Sequence, residues 1–141
     1  MNSWRATASS ALVALGFGFL ALPSPASAQA RWAPGAVIKV WIGTSAERSD
    51  DPKFVELAMA TWTRAAAGKF TFERVSDQRN ANVRVAFVDG NRNLGEASPV
   101  TAFGTGYIVS GDVAIANNLV ATPLEQRVII YMTALHELGH I

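Results

Sequence analysis

Thr122-Pro123-Leu124-Glu125 is the local signal that most restricts how this chain can fold. Threonine at a helix N-cap accepts from the main-chain N–H three residues on, and glutamate at that third position reaches back to the cap. Proline at the first helical position gives up no bond it would have made. The pattern predicts a helix from Thr122 into the end of the 141-residue sequence. Leu124, Val128, Met132 and Leu135 recur at helical spacing within it and are expected to form its apolar face.

Upstream, other segments carry their own signals. Val37 to Ile42 is β-branched and aromatic, as a strand should be. Ser49-Asp50-Asp51-Pro52 predicts a second helix start, with a capping oxygen followed by proline. Phe54, Leu57, Ala58, Thr61, Trp62 and Ala65 then share one face, and Gly68 ends that helix. Phe70 to Val75 and Asn82 to Val88 alternate and read as strands, with Val83, Val85 and Phe87 facing one way. Asp89 to Gly106 is loop-like and holds Gly90, Gly95, Gly104 and Gly106, with a short extended piece from Leu94 to Ser98. Tyr107–Val109 and Asp112–Ala116 flank Ser110-Gly111, which suits a tight hairpin turn. Strands joined through a helix favour a mostly parallel sheet under helical cover.

The first residues have a different character. Met1 to Arg5 is slightly basic, Ala11 to Leu22 is uncharged and apolar, and Ser24-Pro25 precedes the small-x-small triplet Ala26-Ser27-Ala28. That order predicts a signal peptide over 1–28, cleaved after Ala28. The apolar run is too short to span a bilayer comfortably. The remainder, 29–141, is one domain long and large enough to bury a core unaided. Cysteine is absent, which excludes disulfides, a thiol nucleophile and a thiolate metal site. A formal net charge of +1 argues against nucleic acid as the main partner. No later segment is apolar enough to cross a membrane, so the mature product is expected to be soluble and exported, extracellular or periplasmic.

The chemistry sits in His136-Glu137-Leu138-Gly139-His140, which holds both histidines of the chain. Two histidines placed at random fall four apart in about one such chain in seventy, so a bare match carries a false-positive risk that the surroundings must settle. On a helix this spacing turns both imidazoles the same way, one turn apart, where both reach one metal ion. Glu137 stands about 100° further around the axis, placed to take a proton from water rather than to ligate. The bland alternative is a pair of histidines at a helix C-terminus, where the macrodipole favours them. Val128 to Met132 with Ala134-Leu135 predicts a largely buried helix, and buried imidazoles need partners. Gly139 costs about 1 kcal/mol against alanine inside a helix. Its presence predicts that another part of the chain packs close over the motif. A catalytic zinc site takes three protein ligands as a rule, and no third histidine is present.

These residues resemble the matrixin branch of the metzincin metalloproteases, particularly short bacterial members. Trp32 with Ile38 to Trp41 is similar to the family's first strand, and Phe54 to Trp62 to its first helix with its recurrent tryptophan. Ala81 to Phe87 resembles the third strand and Gly111 to Ile115 the last. Gly95-Glu96-Ala97 resembles the antiparallel edge strand that pairs with substrate. The sharp part of the match is His136 to His140.

The resemblance implies an α+β fold: a twisted five-stranded, mostly parallel sheet with one antiparallel edge strand, backed by two long helices. It implies zinc endopeptidase activity, with His136 and His140 as metal ligands, Glu137 as general base and Gly95, Glu96 and Ala97 along the substrate. It also implies a third histidine about five residues past Ile141 and a C-terminal subdomain beyond it, making 29–141 the N-terminal part of a catalytic domain. Calcium follows by analogy only, with Asp89 and Asp112 as weak candidates, since lone aspartates beside turns are more often capping or solvated groups. The expected partner is a peptide or protein substrate met by a monomer, with no membrane contact after signal cleavage. The alternatives are a truncated or decayed, non-catalytic exported domain of the same fold, and a peptidase whose third ligand is a distant glutamate.

Overall fold

A computed structural model describes residues 30–89 and 93–141. The predicted leader and Gly90 lie outside the described residues. The elements are β1 (Ala36–Ile42), α1 (Asp51–Ala65), β2 (Phe70–Val75), β3 (Val83–Val88), β4 (Gly95–Thr101), β5 (Ile108–Ala116) and α2 (Pro123–His140), with one 3-10 turn at Gln78–Asn80. The strands form one sheet in the order β2-β1-β3-β5-β4. β1 pairs in parallel with β2 and with β3, and β3 in parallel with β5. β4 pairs antiparallel with β5 and closes the edge. The fold is α+β, with a mixed five-stranded sheet and two helices, as expected.

Strand alternation puts Ile38 and Val40, Val83 and Val85, and Val113 and Ile115 on one face, all buried. Val55, Ala58 and Met59 of α1 and Ile130, Ala134 and Leu138 of α2 join them in a single core. Both helices therefore cover the same side of the sheet. The other side carries polar pairs. Arg84 and Asp112 stand opposite each other in register and are joined by two hydrogen bonds of 2.7 and 2.9 Å. Asp112, an aspartate expected as a weak calcium candidate, is thus held by an arginine.

The strand expectations hold for β1, β2 and β3, and three others are corrected. Ser110-Gly111 is no turn: β5 runs straight through it. The reversal lies between β4 and β5, where Gly104 and Gly106 take φ of +74° and +69°, a region that costs glycine little. Gly111 sits in a crowded spot, where a Cβ would lie 2.6 Å from Ile141 Cδ1 and 3.2 Å from the Ser98 carbonyl oxygen. Second, the loop-like stretch from Asp89 includes a full seven-residue strand, β4. Its Pro99 is tolerated because β4 is an edge.

Third, the helix faces are rotated from expectation. In α1, Leu57 is half exposed, and the buried residues are Asp51, Val55, Ala58 and Met59. In α2, Leu124, Val128 and Met132 are 70%, 53% and 54% exposed, while Ile130, Thr133, Ala134, Glu137 and Leu138 face inwards. Apolar residues occupy both sides of this helix, so spacing alone could not tell which side meets the sheet.

The ends of the helices are pinned differently. Thr122 and Glu125 form the expected capping box on α2. Asp50 at the N-cap of α1 makes no side-chain cap bond. Its carboxylate accepts from Arg48 Nε at 3.3 Å and pairs with Arg127 of α2 at 3.1 Å, and the Arg48 hydrogen bond is the main reason its pKa lies below the ordinary 3.8. Asp51 is fully buried. It accepts from Ser45 Oγ at 2.6 Å, and Ser45 Oγ in turn accepts from Asn117 Nδ2 at 2.8 Å. This chain ties the loop after β1 to the end of β5. Burial pushes the Asp51 carboxyl up, against the pull of Ser45 and Arg48.

Candidate metal centre

The last turns of α2 carry His136, Glu137 and His140. The two Nε2 atoms lie 3.1 Å apart and the rings are nearly perpendicular, with centroids 4.6 Å apart. Two Zn–N bonds of 2.0–2.1 Å at a tetrahedral angle would place their nitrogens about 3.3 Å apart. The spacing is close to what a shared metal ion needs; the same distance also lets one ring donate to the other. Among the described residues no group of three or more His, Cys, Asp and Glu converges on one point.

Both imidazoles are exposed, which corrects the expectation of buried rings. The reason is the rotation of α2. Leu124, Val128, Met132, His136 and His140 follow one another at intervals of four, so they form one column along the solvent side. Burial therefore does not argue for metal; the convergence of the two nitrogens does.

Glu137 takes the opposite environment and is buried, facing β4. A Cβ on Gly95 would lie 2.7 Å from Glu137 Oε1, 2.7 Å from its Cγ and 2.6 Å from Thr133 Cγ2. The main chain of β4 thus passes directly over the carboxylate. A cavity of about 660 Å³ opens here, lined by Asn93, Leu94 and Gly95 on one side and by Met132, Thr133, His136 and Glu137 of α2 on the other. Of the three residues expected along a substrate, Gly95 borders this cavity. Glu96 lines a separate hollow on the opposite face of the sheet, and Ala97 packs against the core.

Gly139 behaves as its position predicted. A Cβ there would lie 2.9 Å from Trp62 Cζ2. Trp62 Nε1 donates to the carbonyl of Leu135 at 2.8 Å, so α1 grips the main chain of the motif. Trp62 and Thr133 are the contributors that sequence reasoning did not assign to the site. Thr133 was findable, since it lies one helical turn before Glu137 on the same face.

β4 also carries polar main-chain groups beside these residues. The Leu94 carbonyl accepts from Ala116 N–H at 2.9 Å. Antiparallel alternation then turns the main-chain groups of Glu96 and Ser98 towards β5, and those of Gly95 and Ala97 away from the sheet. The chain matches no protein-family model and no curated relative at a significant level. Among the described residues no helix is long and apolar enough to cross a membrane.

Proposed function

We propose that this chain forms the metal-binding part of a secreted zinc endopeptidase of the matrixin-like, metzincin type. The observation that carries the reading is the convergence of His136 and His140 Nε2 at 3.1 Å beside a buried Glu137 that lines a cavity. His136 and His140 would hold Zn²⁺, which supplies Lewis acidity towards a carbonyl and brings the pKa of a water towards 7. Glu137, one residue from a ligand and walled by β4, accepts the proton from water and returns it to the leaving amine. The outward main-chain groups of Gly95 and Ala97 offer an edge on which a peptide can lie extended. Leu94 and Met132 add apolar groups to the adjoining cavity, whose lining Asn93, Thr133, His136 and Glu137 otherwise make polar.

Zinc titration of this chain by calorimetry, with a peptide-cleavage assay on the zinc-loaded full-length protein, tests the reading. One zinc held weakly by His136 and His140 of this chain, and zinc-dependent cleavage by the full-length protein, are the expected results. Zinc binding without cleavage would favour the non-catalytic alternative, and no zinc binding would end the metal reading.

A further inference from the structure

Three glycines of ordinary backbone conformation bear on the last turns of α2: Gly95, Gly111 and Gly139. None has a positive φ, so none is required by its own backbone. At each, a Cβ would come within 3 Å of a neighbour: Ile141 Cδ1 for Gly111, Trp62 for Gly139, and Thr133 and Glu137 for Gly95. Gly95 alone presses on the group that acts on water in the proposed reaction.

We infer that Gly95 is a positioning residue for Glu137: its missing side chain lets the β4 main chain serve as the wall that sets where the carboxylate stands. The inference rests on the endopeptidase reading for its effect on rate, and on geometry alone for the contact. Glu137 Cγ and Oε1 meet the wall together, so a methyl group at residue 95 displaces the carboxylate rather than merely trimming its freedom. Ligand geometry is a separate matter. His136 and His140 lie on the exposed side of the helix, and the three atoms nearest a Gly95 Cβ belong to Thr133 and Glu137. Thr133 Cγ2 is the second obstacle, and it belongs to the packing of the helix rather than to the base.

That division makes the test. Gly95→Ala should lower kcat roughly tenfold to a hundredfold, the scale expected when a reacting group is misplaced by a fraction of an ångström to one ångström. Zinc affinity should stay within about twofold of the parent. Adding Thr133→Ser removes the methyl clash, so Gly95→Ala/Thr133→Ser should recover Tm without recovering kcat. In the metal-free protein, the ¹³C resonance of the Glu137 carboxyl should move on Gly95→Ala and stay moved in the double variant. Recovery of kcat along with Tm would overturn the proposal, because the effect would then run through the helix as a whole. An unmoved carboxyl resonance would overturn it too. Failure of the full-length protein to cleave peptides would sink the endopeptidase reading alone, and the carboxyl resonance would still decide on the contact.

Discussion

The indole of Trp62 occupies the space where residue 139 would carry a side chain, and its Nε1 holds the carbonyl of Leu135 one turn earlier. Gly139→Ala should therefore be destabilising although alanine is the better helix former by about 1 kcal/mol. Overpacking of this kind costs about 1–3 kcal/mol, so the clash outweighs the propensity. Thermal unfolding of the metal-free protein measures it. A rise in Tm for Gly139→Ala would show that the indole moves aside freely.

His136 and Glu137 are neighbours in sequence with opposite exposures, and their variants should separate cleanly. His136→Ala should abolish stoichiometric zinc binding. Glu137→Gln keeps the shape and hydrogen bonding of the side chain but cannot accept a proton. It should bind zinc nearly as the parent does and, in the full-length protein, lose about 10²–10⁴-fold in peptide hydrolysis. Zinc calorimetry on both variants and cleavage rates on the second settle the roles. Equal loss of zinc in the two would mean that Glu137 is a ligand.

Much of this was legible in the sequence, and the misses share a cause. The capping box at Thr122, the strands at Val37 and Phe70 and the crowding at Gly139 each depend on contacts within a few residues or on one residue's shape. The buried side of α2 depends on which apolar column meets the sheet, and the helix has two such columns. Leu124, Val128 and Met132 were as good a core by spacing as Ile130, Ala134 and Leu138, and only the docking of α1, β4 and β5 separates them. Gly111 was misread for a related reason: a glycine crowded by a distant residue, Ile141, looks in sequence like a glycine needed for a turn.

Ala97→Pro tests the role of β4 as a peptide-binding edge. Alternation along the strand points the Ala97 N–H away from β5, so proline there deletes an outward donor while sparing the sheet. The expected result is a KM raised about tenfold, the equivalent of one hydrogen bond of about 1.4 kcal/mol. Unchanged KM and kcat would remove β4 from substrate binding.

Asp51 should leave a mark on stability against pH. Its folded pKa is raised above the ordinary 3.8, chiefly by burial. The folded state therefore holds the proton more tightly than the unfolded one. The contribution is fully present below 3.8 and is lost as pH rises through the folded value. Asp51→Asn can keep the Ser45 contact without the charge, so relative to the parent it should gain stability as pH rises across that window. Urea unfolding of both proteins from about pH 3 to about pH 7 gives the difference. A difference that does not change with pH would remove Asp51 as the source.

The presequence has its own measurement. The basic start, apolar run and Ala26-Ser27-Ala28 site predict an exported chain beginning at Gln29. N-terminal sequencing of the exported protein reads this directly, and a chain still starting at Met1 would refute it.

Helix ends usually open first, and hydrogen exchange at a last turn is normally fast. The end of α2 is built against that tendency. Leu138 and Ile141 are buried in the core, and β4, β5 and Trp62 close on it from three sides through Gly95, Gly111 and Gly139. Unwinding the turn that carries His140 would pull Leu138 and Ile141 out of the core, so this turn should not fray locally. Its amides should exchange at the slow rate of global unfolding, with the histidine pair kept at its spacing for as long as the domain is folded.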